Sequence, residues 1–255
     1  MPYRVLDVGS PDGSQDPFLS VGIGRLGRYA TLSYRWGEVN TFVTTSKNID
    51  EYRRKVSPHV LPKTLQDAIH VTRELGIRFL WIDGLCIVQD SALDWEQQSA
   101  MMSDIYRNSF VTISANIGEV AGTRGFVERN PLESRPCRLG VSRYAGTDLL
   151  DRLGPCPAVE DPLAKPVFAC IIEPFRSRGP LGNRAWVLQE RLLSPRTLEF
   201  TRHGLRWQCD SSEASEMRPL ERPVGVSSYN WNPIVHKIKP GSEYGSWYSL
   251  VGIYN

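Results

Sequence analysis

Trp186 and Glu190 stand four residues apart in the segment NRAWVLQERLL, residues 183–193. The segment has good helix formers and no interior breaker, and Pro195 ends it. On a helix that spacing stacks the two side chains on one face. An aromatic platform beside a carboxylate suits cleavage of an N-glycosidic bond. The carboxylate stabilises the positive charge that develops on an oxocarbenium-like sugar. The ring can stack on a nicotinamide or adenine. The plain alternative is a solvated Glu190 paired with Arg191 or Arg196, and an ordinary core Trp186.

A second carboxylate lies in FLWIDGLCIVQD, Phe79 to Asp90. Four apolar residues in a row, Phe79 to Ile82, suit a strand buried on both faces of a parallel sheet. Asp83 falls at its end, where open α/β sheets place their ligand crevice. Cys86, Gln89 and Asp90 follow in the same loop region. Tyr29–Tyr34 (YATLSY) is another core strand, and it ends in Ser33, Tyr34, Arg35, Trp36 and Gly37. Hydroxyls, a guanidinium, an indole and a glycine therefore meet Asp83 at one sheet edge. As single residues, Asp83 also reads as a turn cap and Trp36 as core.

Other chemistries lack their motifs. There is no Gly-x-x-x-x-Gly-Lys phosphate loop and no Gly-x-Gly-x-x-Gly after a strand. No Gly-x-Ser-x-Gly elbow occurs. The four histidines have no motif beside them, so a Cys86–His dyad has no support in the pattern. The five cysteines (Cys86, Cys137, Cys156, Cys170 and Cys209) form no Cys-x-x-Cys pair, which argues against zinc.

The elements that must position these groups follow from the pattern. The chain has 255 residues, 41% hydrophobic and 23% charged, in the range of one large globular domain or two small ones. Leu61–Pro62 opens a helix whose Leu65, Ala68, Ile69, Thr72 and Leu75 share a buried face, and Gly76 stops it. With the flanking strands it makes a βαβ unit. Asp94, with Gln97 three residues on, reads as the cap of the next helix. Trp95, Met102, Ile105 and Tyr106 read as the core face of that helix. Phe110–Ala115, Val167–Ile172, Thr197–Thr201 and Leu205–Cys209 are further strands. Residues 1–28 read as an irregular lead-in, about 117–166 as an insertion, and 210–255 as an irregular extension of a chain that looks truncated.

Charge and hydropathy bound the partners. The net charge is +2 with no dense basic run, so nucleic acid is not expected. No apolar stretch reaches the roughly 18 residues of a membrane span. The amino terminus has no hydrophobic signal core, so a cytoplasmic protein with reduced thiols is expected.

Four blocks then resemble one family. YATLSYRWG (29–37), LPKTLQDAIHVTRELGIRFLWIDGLCIVQD (61–90), DWEQQSAMMSDIYRNSFVTISA (94–115) and RAWVLQERLLSPRTLEF (184–200) are similar in order and spacing to the fungal heterokaryon-incompatibility (HET) domain. The resemblance spans about 29–209. Ala185 replaces a usual Gly, Gly84 replaces a common Ala, and Val88 is a mild departure. The resemblance implies a fungal protein that triggers programmed cell death on meeting non-self. It also implies likeness to Toll/interleukin-1 receptor (TIR) domains, and so a flavodoxin-like α/β fold with a parallel central sheet flanked by helices.

Many TIR domains cleave NAD with a glutamate in a Trp-x-x-x-Glu arrangement. Trp186 and Glu190 match it. On this analogy Glu190 is catalytic and NAD is the substrate, with no metal. Ser33, Tyr34, Arg35, Trp36, Gly37, Asp83, Cys86, Gln89, Arg184 and Trp186 bind NAD, with Arg35 placed to meet a phosphate. Hydrolysis, cyclisation and base exchange are all open. Self-association into a homo-oligomer and an upstream non-self sensor protein are the implied partners. Two rivals stand beside this reading: a death-signalling adaptor acting only by protein contacts, and a nucleotide sensor without turnover.

Overall fold

The computed structural model describes residues 1–36, 42–116, 137–139, 167–169, 190–201, 204–216 and 218–223. The chain divides into a unit of residues 1–129 with 178–255 and a smaller unit of residues 130–177. In the smaller unit, β6 (Cys137–Leu139) pairs antiparallel with β7 (Val167–Ala169). The two strands form a two-stranded sheet of their own.

The larger unit is built on a nine-stranded sheet. Its strands are β1 (Arg4–Asp7), β2 (Phe18–Val21), β3 (Tyr29–Ser33), β4 (Phe79–Trp81), β5 (Val111–Asn116), β8 (Arg196–Thr201), β9 (Gly204–Cys209), β10 (Ser212–Ser215) and β11 (Arg218–Pro223). The spatial order is β11-β10-β9-β8-β5-β3-β4-β1-β2. The central four, β8, β5, β3 and β4, are parallel. Among these four, the first in the chain, β3, has the second on one side and the third on the other. That is a topological switch, and ligand crevices of open α/β sheets form beyond the strand ends at such a point.

The parallel centre agrees with the expected parallel central sheet, but the sheet as a whole is mixed. β1 runs antiparallel to both β4 and β2. On the far side β8 to β11 form an antiparallel meander. The cause is chain length. Two residues separate each pair of successive strands from β8 to β11, whereas a parallel crossover needs a dozen or more. β10 and β11 occupy the start of the stretch expected to be irregular after residue 210, and residues 224–255 lie outside the described residues. At the other end, β1 is buried at every residue, so residues 4–7 are core.

α2 (Lys63–Glu74) lays Leu65, Ala68, Ile69 and Thr72 into the core. Gly76 stops it with φ +66. The amide of Gly76 bonds the Arg73 carbonyl and that of Ile77 bonds the Thr72 carbonyl, so two helix-end acceptors are satisfied. Within the core the rings of Trp81 and Tyr106 meet edge to face at 5.7 Å.

The next helix differs from expectation in its cap and its length. α4 (Ala92–Ala100) is capped by Ser91, whose hydroxyl accepts from the Asp94 amide, and α5 (Met102–Arg107) follows a break at Met101. Asp94 is drawn elsewhere. Its carboxylate pairs with the buried Arg4 guanidinium and accepts the Val88 amide at 2.7 Å. Arg4 also donates to the Cys86 carbonyl at 2.8 Å. A buried guanidinium needs a counter-charge, and that demand outweighs a capping role at Asp94.

Burial raises the Asp94 carboxyl, but the Arg4 hydrogen bond, the Val88 amide and the Arg4 charge hold it below the ordinary 3.8. A depressed carboxyl contributes stability above its unfolded value and loses it as pH falls through the folded one. Asp94→Asn is therefore expected to lose about 3 kcal/mol in urea unfolding at pH 7, because the buried Arg4 keeps its charge without a counter-ion. The difference from the native chain should begin to shrink below about pH 4, as the unfolded Asp94 takes up its proton, and disappear once pH has fallen through the lower folded value.

Candidate functional site

A cavity of about 210 Å³ opens at the carboxyl ends of the central strands. β3 and its exit supply Leu32, Tyr34 and Trp36. The segment after β4 supplies Asp83, Ile87 and Gln89. α4 and α5 contribute Trp95, Ser99 and Met102, and the helical turn 190–193 contributes Glu190. Two carboxylates and three aromatic rings thus face one space. The described lining includes no Lys, Arg or His.

Local geometry fixes the Asp83 side. Asp83 opens the single-turn helix α3 (Asp83–Cys86). Its Oδ2 accepts the Trp36 indole N–H at 2.8 Å and its Oδ1 accepts the Gly84 amide at 2.7 Å. The indole is therefore tied to the carboxylate across two strand ends. Gln89 Nε2 donates to the Asp83 and Ile87 carbonyls, each at 3.1 Å, and braces the same loop. Gly84 also makes room. A Cβ there would stand 3.0 Å from the Tyr34 hydroxyl oxygen.

A second segment zips onto this loop. Thr44 is fully buried; its amide donates to the Gly84 carbonyl and its hydroxyl to the Leu85 carbonyl. The Gln89 amide donates to the Thr44 carbonyl. Ser46 donates twice to the Asp90 carboxylate, which lowers the Asp90 carboxyl below its usual range.

Five of the site residues expected from the sequence meet here: Tyr34, Trp36, Asp83, Gln89 and Glu190. Ser33 is buried within β3, opposite Ser114 of β5, and Arg35 is exposed. Neither belongs to the described lining. Gly37, Arg184 and Trp186 lie outside the described residues.

Cys86 also lies apart from the lining. It is fully buried in the core, and desolvation pushes its thiol up to about 12. It contributes its backbone carbonyl to Arg4, and its side chain is packing. Trp95, read from its spacing as core, is instead 53% exposed on the cavity wall. Ser99 and Met102, four and seven residues on, share that wall.

No group of three or more His, Cys, Asp or Glu among the described residues is placed to hold a metal. No helix of the described residues is long and apolar enough to cross a membrane.

The two described thiols offer a contrast. For Cys209, burial raises the pKa, but hydrogen bonds with Ser212 and Ser211 outweigh it and bring the thiol to about 7. Thiolate, not thiol, is the nucleophile. Iodoacetamide at pH 7.5, followed by peptide mass mapping, is expected to label Cys209 within minutes. The Cys86 peptide should stay unlabelled until urea unfolds the protein.

Comparison with known families gives one match. Residues 29–190 fit the family model described as "Heterokaryon incompatibility protein (HET)". The matched span opens with β3 and closes on Glu190, so it holds every lining residue of the cavity. No curated protein sequence and no solved structure matches the chain.

Proposed function

The chain belongs to the heterokaryon-incompatibility (HET) family, and from that premise we propose that it is a cell-death effector that hydrolyses NAD, with Glu190 as the catalytic carboxylate. The observation that carries the reading is the convergence of Glu190, Asp83, Trp36 and Tyr34 on one cavity beyond the parallel strands. The order of those strands, second-first-third-fourth, is that of flavodoxin-like sheets and supports a TIR-like fold.

The chemistry follows from the lining. Nicotinamide in NAD carries a positive charge, and two carboxylates with aromatic walls favour a flat cation. As the bond between the ribose anomeric carbon and the pyridinium nitrogen breaks, the electron pair leaves with neutral nicotinamide. The charge passes to the ribosyl group, where Glu190 stabilises it. Water adds to the anomeric carbon and releases a proton. Trp36, held by Asp83, and Trp95 offer faces for stacking.

Size and charge also divide the substrate. About 210 Å³ is below the roughly 300–1,000 Å³ of pockets that enclose a drug-sized ligand. The cavity therefore takes the nicotinamide-ribose end alone. No basic side chain is among the described lining, so the pyrophosphate needs a cation from elsewhere. Exposed Arg35 is the candidate to meet it. Self-association and an upstream sensor protein complete the proposal as partners.

The test is nicotinamide release from NAD by the purified protein at high concentration. The native chain is expected to release nicotinamide, and Glu190→Gln to release it at least about 100-fold more slowly. Equal release by both would move the chemistry to another residue. Intact NAD with both proteins would favour the adaptor. Trp95→Ala is expected to raise KM about 2- to 12-fold, the range of one lost stacking contact, with a smaller change in kcat.

A further inference from the structure

Three buried hydroxyls run in a line from the centre of the sheet to the main chain of Glu190. Thr31 Oγ1 of β3 lies 2.6 Å from Thr112 Oγ1 of β5. Thr112 Oγ1 lies 2.5 Å from Ser194 Oγ. Ser194 Oγ lies 2.6 Å from the Glu190 carbonyl oxygen. The three residues are 0%, 1% and 2% exposed.

The direction of every bond in this line is determined. A carbonyl oxygen only accepts, so Ser194 must donate to Glu190. Each hydroxyl has one proton. Ser194 has then spent its own, and Thr112 must donate to it. By the same count Thr31 donates to Thr112. The line therefore has one polarity, and each hydroxyl after Thr31 both donates and accepts.

Its end point matters. The helical turn closes at residue 193, and Ser194 is the first residue past it. Its hydroxyl donates to the carbonyl four residues back. The backbone of the cavity glutamate is thus tied to β5 and β3, the two strands that border the switch point. These strands also pair directly, with Thr31 opposite Thr112.

We infer that Thr112 and Ser194 are positioning residues, which hold Glu190 at the cavity through this one-way hydroxyl chain. The inference rests on the reading of Glu190 as the catalytic carboxylate. Neither Thr112 nor Ser194 lines the cavity, so each acts through Glu190 and not on substrate. Thr112→Val keeps the shape and removes both the donor to Ser194 and the acceptor for Thr31. Thr112→Ser keeps both. Ser194→Ala removes the last link alone.

The experiment has two arms on the full chain, with Glu190→Gln alongside. In the first, nicotinamide release from NAD is measured for the native chain and the three variants. Thr112→Val and Ser194→Ala are expected to lose about tenfold in kcat with KM within twofold, and Thr112→Ser to stay within twofold of native. A loss that only follows the folded fraction, or a Thr112→Ser variant as slow as Thr112→Val, would overturn the inference.

The second arm is hydrogen exchange of the amides of residues 190–194 and 196 without substrate, which needs no activity. Faster exchange there in Thr112→Val, with β3 and β5 unchanged, supports the tether. Unchanged exchange overturns it. If Glu190→Gln still releases nicotinamide, the catalytic reading has failed, and the exchange arm alone decides whether the chain anchors Glu190.

Discussion

The contact between Arg4 and Asp94 organises the wall of the cavity. Arg4 is 6% exposed and comes from β1, which pairs with β4. Its guanidinium binds the Cys86 carbonyl and the Asp94 carboxylate, and Asp94 in turn accepts the Val88 amide. Two polar groups of the Asp83–Gln89 segment are therefore held by one buried ion pair. The same pair anchors the start of α4, which carries Trp95 and Ser99 to the opposite wall. Burying a guanidinium is costly unless its donors and charge are matched. That cost makes the arrangement exacting: the loop, the helix start and the first strand must come together.

One consequence concerns the amino-terminal residues. β1 and β2 lie before residue 29, where the family match begins. Arg4 nevertheless braces the loop that bears Asp83. Thr44 braces that loop from its other side. With backbone groups satisfied from two directions, Asp83 can spend its carboxylate on Trp36 and on the Gly84 amide. An aromatic wall fixed before a ligand arrives loses less freedom on binding.

The parts legible in the sequence were those set by local pattern. The unbroken apolar run Phe79–Ile82 marked β4, the segments YATLSY and FVTISA marked β3 and β5, and Gly76 marked the end of α2. Groups placed just past the ends of parallel strands, such as Tyr34, Trp36 and Asp83, follow from the sheet rule itself. The parts that escaped depend on distant partners. Asp94 has the type and position of a cap, and only Arg4, 90 residues away, explains why Ser91 serves instead. Trp95 sits at a helical spacing shared by core residues, but the break at Met101 puts it on a different helix from the buried Ile105 and Tyr106. Cys86 follows Asp83 by three residues, but a one-turn helix rotates its thiol into the core. β10 and β11 are polar strands, so hydropathy concealed them; the two-residue links between successive strands were the available signal.

Gly84 shows how finely the cavity is set. The sequence resemblance makes alanine common at this position. Here the Tyr34 hydroxyl oxygen stands where an added methyl would be only 3.0 Å away. The Phe42 carbonyl, at 3.9 Å from that methyl, limits movement on another side. A tyrosine ring moves as a rigid plate, so an alanine would have to shift the whole ring by a few tenths of an ångström. Tyr34 also lines the cavity, so that shift would alter the space beside Asp83. The glycine thus does more than permit a turn: it lets the tyrosine hydroxyl rest against α3 and sets one wall of the cavity. Fold and site are coupled at this residue, because the helix turn that presents Asp83 is also the surface on which Tyr34 packs.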